Sequence, residues 1–252
     1  VIHPFGGPVH LIAEGAENAP SAASAHDDIE LVRRTLAGLN DAGTGFLRIY
    51  RPRPTAAFSP RDAISRSFNA AAEAVRGHGF EPVERLAGGQ LAVYDSNALV
   101  IDLVAAHAEP RAQVLKRFEL FSKVIISALA TLSIDARLGA LAGEYCPGEY
   151  SVNGAGRIKL AGLAQRIGRR GYHLGAMISV MPSHKAEAAI ATAYRILGIT
   201  FNPATFGAVA DLTPNLSFKT VRDAIMNAIA AQLDGWPSTA GAREERPSAE
   251  LV

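Results

Sequence analysis

Phe80-Glu81-Pro82-Val83-Glu84, Arg85-Leu86-Ala87-Gly88-Gly89-Gln90 and Leu91-Ala92-Val93-Tyr94 follow one another along the chain. The first and third runs read as strands, and the glycine pair lies between them. Residues 98–105 form a third, strongly apolar strand soon afterwards. Three strands in succession do not give the regular strand–helix alternation of a doubly wound parallel sheet. The stretch therefore predicts an α+β fold with a mixed, mainly antiparallel sheet flanked by helices.

Working outward, Ile29, Val32, Leu36 and Leu39 recur at helical spacing from Asp27 onward. Gly43 and Gly45 stop that helix, and Phe46-Leu47-Arg48-Ile49-Tyr50 reads as a strand. Pro52, Pro54 and Pro60 predict an irregular loop. Residues 62–76 read as a helix stopped by Gly77 and Gly79. A long helix is expected over 111–135, then short strands at 150–152, 158–160 and 164–167 and a longer one at 172–180. Helices are expected at 184–197 and 218–233. Residues 1–26 read as a partly flexible N-terminal arm, 27–235 as one domain, and 236–252, rich in Pro, Ser, Glu and Arg, as a disordered tail.

Of the 252 residues, 48% are hydrophobic, enough for a sizeable core, and the formal net charge of +1 leaves no electrostatic footprint for nucleic acid or an anionic membrane. Val1 to Pro8 lack the basic start and apolar core of a signal peptide. The apolar run at 124–133 is about half of a membrane span. One cysteine suits a reducing compartment. A soluble, cytoplasmic protein is expected.

Three constellations can carry chemistry. In Arg85-x-x-Gly88-Gly89, the glycines permit positive φ and close approach of backbone to a ligand, and the guanidinium can pair with a carboxylate or phosphate. The plain reading is a hairpin turn. Cys146 stands in Glu144-Tyr145-Cys146-Pro147-Gly148, a loop signal, with Lys159 thirteen residues on. Gly154 and Gly156 between them allow a return of the chain toward the thiol. A nearby cation would stabilise a thiolate nucleophile, while a solvated strand lysine is the plain alternative. His173, in Gly171-Tyr172-His173-Leu174-Gly175, is either a base or a packed strand residue. The seven histidines show no metal-ligand spacing, and no G-x-S-x-G elbow is present.

Two stretches together resemble the lipoate-protein ligase and octanoyltransferase family, whose catalytic domain is shared with biotin protein ligases. Arg85 to Asp95 resembles its R-x-T/S-G-G-G-A-V-Y-H-D segment, and Gly156 to Arg166 its G-x-K-x-x-G-x-A/S-Q segment, with Lys159 as the catalytic-site lysine. Ala87, Gln90 and Tyr94 depart from the usual Thr or Ser, third glycine and histidine, a poorer cradle for an acyl-adenylate phosphate. Cys146-Pro147-Gly148-x-Tyr150-Ser151 is similar to the C-P-G-S-Y-D-like segment of the cysteine-dependent octanoyl or lipoyl transfer branch, with Glu149 and Ser151 as departures.

The resemblance implies a biotin/lipoate ligase-like catalytic domain. It implies Cys146 and Lys159 as catalytic residues, and Arg85, Gly88, Gly89, Asp95, Ala161, Gly162 and His173 as substrate-binding residues. Lys159 would hold the substrate carbonyl oxygen or the thiolate. The partners implied are lipoyl-carrier proteins, namely the glycine-cleavage H protein and the E2 lipoyl domains of 2-oxoacid dehydrogenases. The transferase reading requires no cofactor and no metal. An ATP-dependent ligase acting through lipoyl-AMP with ATP and Mg, and an inactive homologue that binds an acyl group or a carrier, are the alternatives.

Overall fold

The computed structural model describes residues 5–7, 9–13, 24–40 and 43–232. Its elements are β1 (Val9–Ala13), α1 (Ala25–Gly38), β2 (Gly45–Tyr50), β3 (Thr55–Phe58), α2 (Pro60–Ala63), α3 (Phe68–Gly77), β4 (Glu81–Glu84), β5 (Ala92–Tyr94), β6 (Ala98–Ala106), α4 (Val114–Ala130), β7 (Ala136–Leu138), β8 (Val152–Gly154), β9 (Ile158–Ile167), β10 (Gly171–Ser179), α5 (His184–Leu197), α6 (Val209–Leu212) and α7 (Phe218–Gln232), with a 3-10 turn at Pro203–Thr205.

Among the described residues, seven strands form one sheet in the order β1-β2-β6-β10-β9-β8-β7, and three form a second in the order β4-β3-β5. In the large sheet only the β1–β2 pair is parallel. The fold is thus α+β with a mainly antiparallel sheet flanked by helices.

Every residue of β6 is buried, because helices or the second sheet cover both of its faces. The two-residue strand period sorts its side chains. Leu99, Ile101 and Leu103 join Phe121, Val124, Ile125, Ala128 and Leu129 of α4 and Val221, Ile225 and Ile229 of α7 in one core. Ala98 and Val100 face the other way, into a core with Ala71 and Val75 of α3, Phe58 of β3 and Ala189, Ile190 and Ala193 of α5. Asp102 shares that second face, where a charge needs partners.

The helix termini carry the caps their sequence offers. The Ser24 side chain accepts from the Asp27 N–H to start α1, and Ser59 and Asp62 form a reciprocal capping box at α2. Helix α5 starts at Ser183, whose side chain accepts from the Ala186 N–H. It ends at Gly198, whose φ of 70° is the left-handed cap glycine readily adopts.

Several expectations are corrected. Val9–Ala13, within the stretch read as an arm, is a strand that pairs with β2, and α1 begins at Ala25. The expected hairpin around Gly88-Gly89 does not form. Strands β4 and β5 lie on opposite sides of β3, parallel and antiparallel to it. Strand β3 itself lies where prolines predicted a loop; Pro52, Pro54 and Pro60 flank Thr55–Phe58 without entering it.

The helix expected over 62–76 breaks into α2 and α3, and the Ser67 N–H donates to the Ser65 side chain in the break. The segments expected at 158–160 and 164–167 are one ten-residue strand, β9. The proposed tail at 236–252 lies outside the described residues. Among the described residues, no helix is long and apolar enough to cross a membrane, and no cluster of His, Cys, Asp and Glu could hold a metal.

Candidate active site

A cavity of about 790 Å³, counting the space at its mouth, lies between the large sheet and the layer that carries the small sheet and α1. Cys146, Arg85 and Lys159 line it together with Gly162, Leu163, Met177 and other apolar side chains.

The loop before β8 presents Cys146 with φ at 41°, a conformation few non-glycine residues adopt. Contacts on both sides hold it there. The Cys146 N–H donates to the Tyr194 hydroxyl at 2.8 Å, and that hydroxyl donates to the Leu91 carbonyl. The Cys146 carbonyl accepts from Lys159 Nζ at 2.7 Å.

The sulfur meets two donors. Arg85 Nη2 and the Gln90 N–H each lie 3.4 Å from Sγ. Arg85 is itself pinned, because Nη2 also donates to the carbonyls of Gly88 and Gln90 at 2.8 Å. Burial pushes the thiol up, but the Arg85 and Lys159 cations and the Gln90 N–H outweigh it. The Cys146 thiol is held below the ordinary cysteine range. Gly89, with φ at 102°, leaves room for this arrangement. A Cβ there would stand 2.8 Å from Arg85 Nη2 and 2.9 Å from Sγ.

Lys159 is fully buried. Its Nζ donates to Glu144 Oε1 at 2.9 Å, to the Tyr145 carbonyl at 2.9 Å and to the Cys146 carbonyl. Those bonds use the three donors of an ammonium. Lys159 therefore grips the backbone of the Cys146 loop, and its charge helps lower the thiol. Glu144 is completed by the Ser151 hydroxyl on Oε1 at 2.7 Å and the Leu141 N–H on Oε2 at 2.9 Å. Gly162 accommodates the lysine, since a Cβ there would sit 3.3 Å from Lys159 Cε.

His173 also lines the cavity, with Nε2 2.8 Å from Asp102 Oδ1. Asp102 Oδ2 accepts from Arg48 Nη2 at 3.1 Å, and Arg48 Nη1 reaches Asp28 Oδ1 at 2.8 Å. Burial works to raise Asp102, but His173 and Arg48 prevail and keep its carboxyl below the usual range.

Four sequence-derived candidates, Gly88, Gly89, Asp95 and Ala161, are not among the cavity's lining residues, although Gly89 lies against Sγ. Gly88 is exposed and contributes its carbonyl to Arg85. Asp95 is committed to a turn, accepting from the Asn97 N–H at 2.8 Å and from the Ser183 hydroxyl at 2.6 Å. Ala161 alternates away from the cavity and packs into the core under α4. Cys146, Lys159, Arg85, Gly89, Gly162 and His173 come together.

Sequence reasoning missed Glu144, Tyr194 and the Asp28–Arg48–Asp102 chain. A signal existed for the last: Arg48 and Asp102 are lone charges inside otherwise apolar strands.

Residues 28–230 match the family model described as the lipoyl protein ligase A/B catalytic domain. The chain belongs to that family. Two curated relatives, both named octanoyl-[GcvH]:protein N-octanoyltransferase, come from Geobacillus kaustophilus and Exiguobacterium sibiricum. The first is 29% identical over 49% of this chain and 44% of its own, the second 31% identical over 46% and 42%. The chain thus aligns with less than half the length of these two relatives.

Among solved structures, a lipoate-protein ligase A bound with ATP aligns with a TM-score of 0.68 at 16% identity, covering 90% of this chain and 85% of that one. A bipartite lipoate protein ligase from Thermoplasma acidophilum aligns at 0.63 and 17%, covering 90% and 84%. At these identities the structures speak for the fold. The lipoyl protein ligase A/B architecture places the Cys146 loop over strand β9, with the Arg85 loop opposite.

Proposed function

We propose that the chain is an acyltransferase that moves an octanoyl or lipoyl group onto a lysine of a lipoyl-carrier domain through a thioester on Cys146. The observation that carries this reading is the setting of the sulfur. It sits at an apolar cavity, against a guanidinium and a backbone N–H, with its thiolate favoured. The exchange between carrier proteins in the names of the curated relatives is of the same kind.

In the first half-reaction the thiolate attacks the acyl carbonyl of a donor lysine amide. The C–N bond breaks, the departing amine takes up a proton, and the thioester forms. In the second half-reaction the neutral amine of the acceptor lysine attacks the thioester, the C–S bond breaks, and the new amide nitrogen releases a proton. The two protons balance. The Gln90 N–H, already facing the sulfur, is a donor within reach of an oxyanion formed there, and the Arg85 guanidinium adds its charge. Lys159 positions the loop. The glycine-cleavage H protein and E2 lipoyl domains fit as carriers, and a cytoplasmic setting suits a free thiolate.

Intact-mass spectrometry of the protein with an octanoylated carrier tests the proposal. An octanoyl adduct that vanishes in Cys146→Ala is expected without ATP. Lipoyl-AMP formation from lipoate and ATP that survives Cys146→Ala would replace this reading with the ligase one. Carrier binding with no turnover of any acceptor would replace it with an inactive homologue.

A further inference from the structure

The cavity changes character along its length, and the strand register shows where. Tyr50, Val100, Met177 and Gly162 form one row across β2, β6, β10 and β9. Tyr50 and Gly162 are thus three interstrand spacings apart, about 14 Å at ~4.8 Å each. The Gly162 end lies against Lys159. The Tyr50 end gathers polar groups.

Tyr50 and Tyr94 both line the cavity. Neither hydroxyl hydrogen-bonds to a described residue, and neither is among the buried polar atoms sealed off without a partner. Both hydroxyls therefore keep accessible surface, on residues that line the cavity. Tyr50 is otherwise only 4% exposed, and its ring is fixed by the Arg48 guanidinium stacked at 3.8 Å. Behind it run Asp28, Arg48, Asp102 and His173, each within 3.1 Å of the next. The Nδ1 of His173 is buried without a partner.

This end is ill suited to a plain alkyl terminus. A hydrocarbon filling it would strip water from two phenol hydroxyls and give nothing back, at a cost of roughly 1–3 kcal/mol for each unsatisfied group. A terminal carboxylate would meet the Asp102 carboxylate, which also lines the cavity. A neutral oxygen can accept from a phenol without that repulsion.

We propose that the Tyr50 end of the cavity is a subsite for a neutral oxygen function, a hydroxyl or oxo group, on the distal carbons of the acyl chain. This rests on the proposed function, since the same cavity would hold the acyl group borne by Cys146, and it narrows the substrate class.

Calorimetric titration of the whole chain with octanoate, its ω-hydroxy analogue and its ω-carboxy analogue reads the subsite without thiol chemistry. The hydroxy acid is expected to bind about tenfold tighter than octanoate, with the dicarboxylate weakest. In Tyr50→Phe, and separately in Tyr94→Phe, the ratio of hydroxy acid to octanoate affinity is expected to fall to about threefold or less. Equal affinities for the two acids, no binding of any acid, or a ratio unmoved in both variants would overturn the subsite.

Intact-mass spectrometry with the octanoyl and ω-hydroxyoctanoyl thioesters separates this from the parent reading. No adduct from either donor, with the calorimetric preference intact, removes the Cys146 thioester and leaves the subsite. Adducts from both with equal affinities remove the subsite and leave the transferase.

Discussion

Lys159 Nζ donates to the carbonyl oxygen of Cys146 at 2.7 Å, so the ammonium holds the Cys146 loop by its backbone. Its remaining bonds go to Glu144 and the Tyr145 carbonyl. Stability and activity should therefore separate at this pair. Lys159→Ala leaves the Glu144 carboxylate buried without its cation, and a loss of about 3–5 kcal/mol is expected in urea unfolding. The double variant Lys159→Met, Glu144→Leu is expected to recover most of that stability while acyl transfer stays at least about 100-fold down. Recovery of activity together with stability would show that the ion pair serves packing alone.

Arg85 is expected to set the pH range of the thiol. Its charge helps hold Cys146 below the ordinary cysteine value, so thiolate persists to lower pH than in a free thiol. In Arg85→Gln the thiol loses that cation and its pKa moves up. The pH profile of iodoacetamide alkylation at Cys146 should shift to the alkaline side, with transfer at neutral pH falling about tenfold or more. An unmoved profile would assign the effect to Lys159 and Gln90.

Gly89→Ala places a methyl group against the sulfur and the guanidinium on a backbone with φ at 102°. The left-handed backbone alone costs about 1–2 kcal/mol. Thermal unfolding should show a modest loss, and alkylation of Cys146 a much larger fall in rate. Gly88→Ala is the control, since a Cβ there meets nothing within 4 Å.

Asp102 gives a pH dependence of the opposite kind. Its folded pKa lies below the unfolded carboxyl value of about 3.9. Its contribution to stability is thus fully present above that value and is lost as the pH falls through the lower folded value. Asp102→Asn leaves Arg48 and His173 short of a partner and should cost about 3–5 kcal/mol at neutral pH. It should also flatten the decline of stability below about pH 4, measured by urea midpoints across pH.

Fold class was legible in the strand succession, and local spacing with the family resemblance picked out Cys146, Lys159 and Arg85, which line one cavity. Sequence reading failed where the decisive partner lies far along the chain. Strand β3 escaped notice because four residues, Thr55–Phe58, carry too little pattern between prolines. Strands β4 and β5 looked like a hairpin because nothing local shows that β3 lies between them. The segments read separately at 158–160 and 164–167 run on through Gly162, where a Cβ would sit 3.3 Å from Lys159 Cε.

Arg85, Cys146 and Lys159 were readable as residues, but their contacts were not. Glu144 sits two positions before the thiol, and its burial follows from Ser151, Leu141 and Lys159 folding around it. An aspartate in a turn and one in a site look alike in sequence, and Asp95 lies off the cavity. Here Asn97 and Ser183 claim it.

The left-handed backbone of Cys146 is held from distant parts of the chain. The groups that hold it in place, Tyr194, Lys159, Arg85 and Gln90, come from parts of the chain as much as about a hundred residues apart. None of them acts on the sulfur in an unfolded or half-made chain, where the thiol has an ordinary cysteine's chemistry. The thiol is brought below its ordinary range only when the last of these segments docks, so its labelling rate follows completion of the fold.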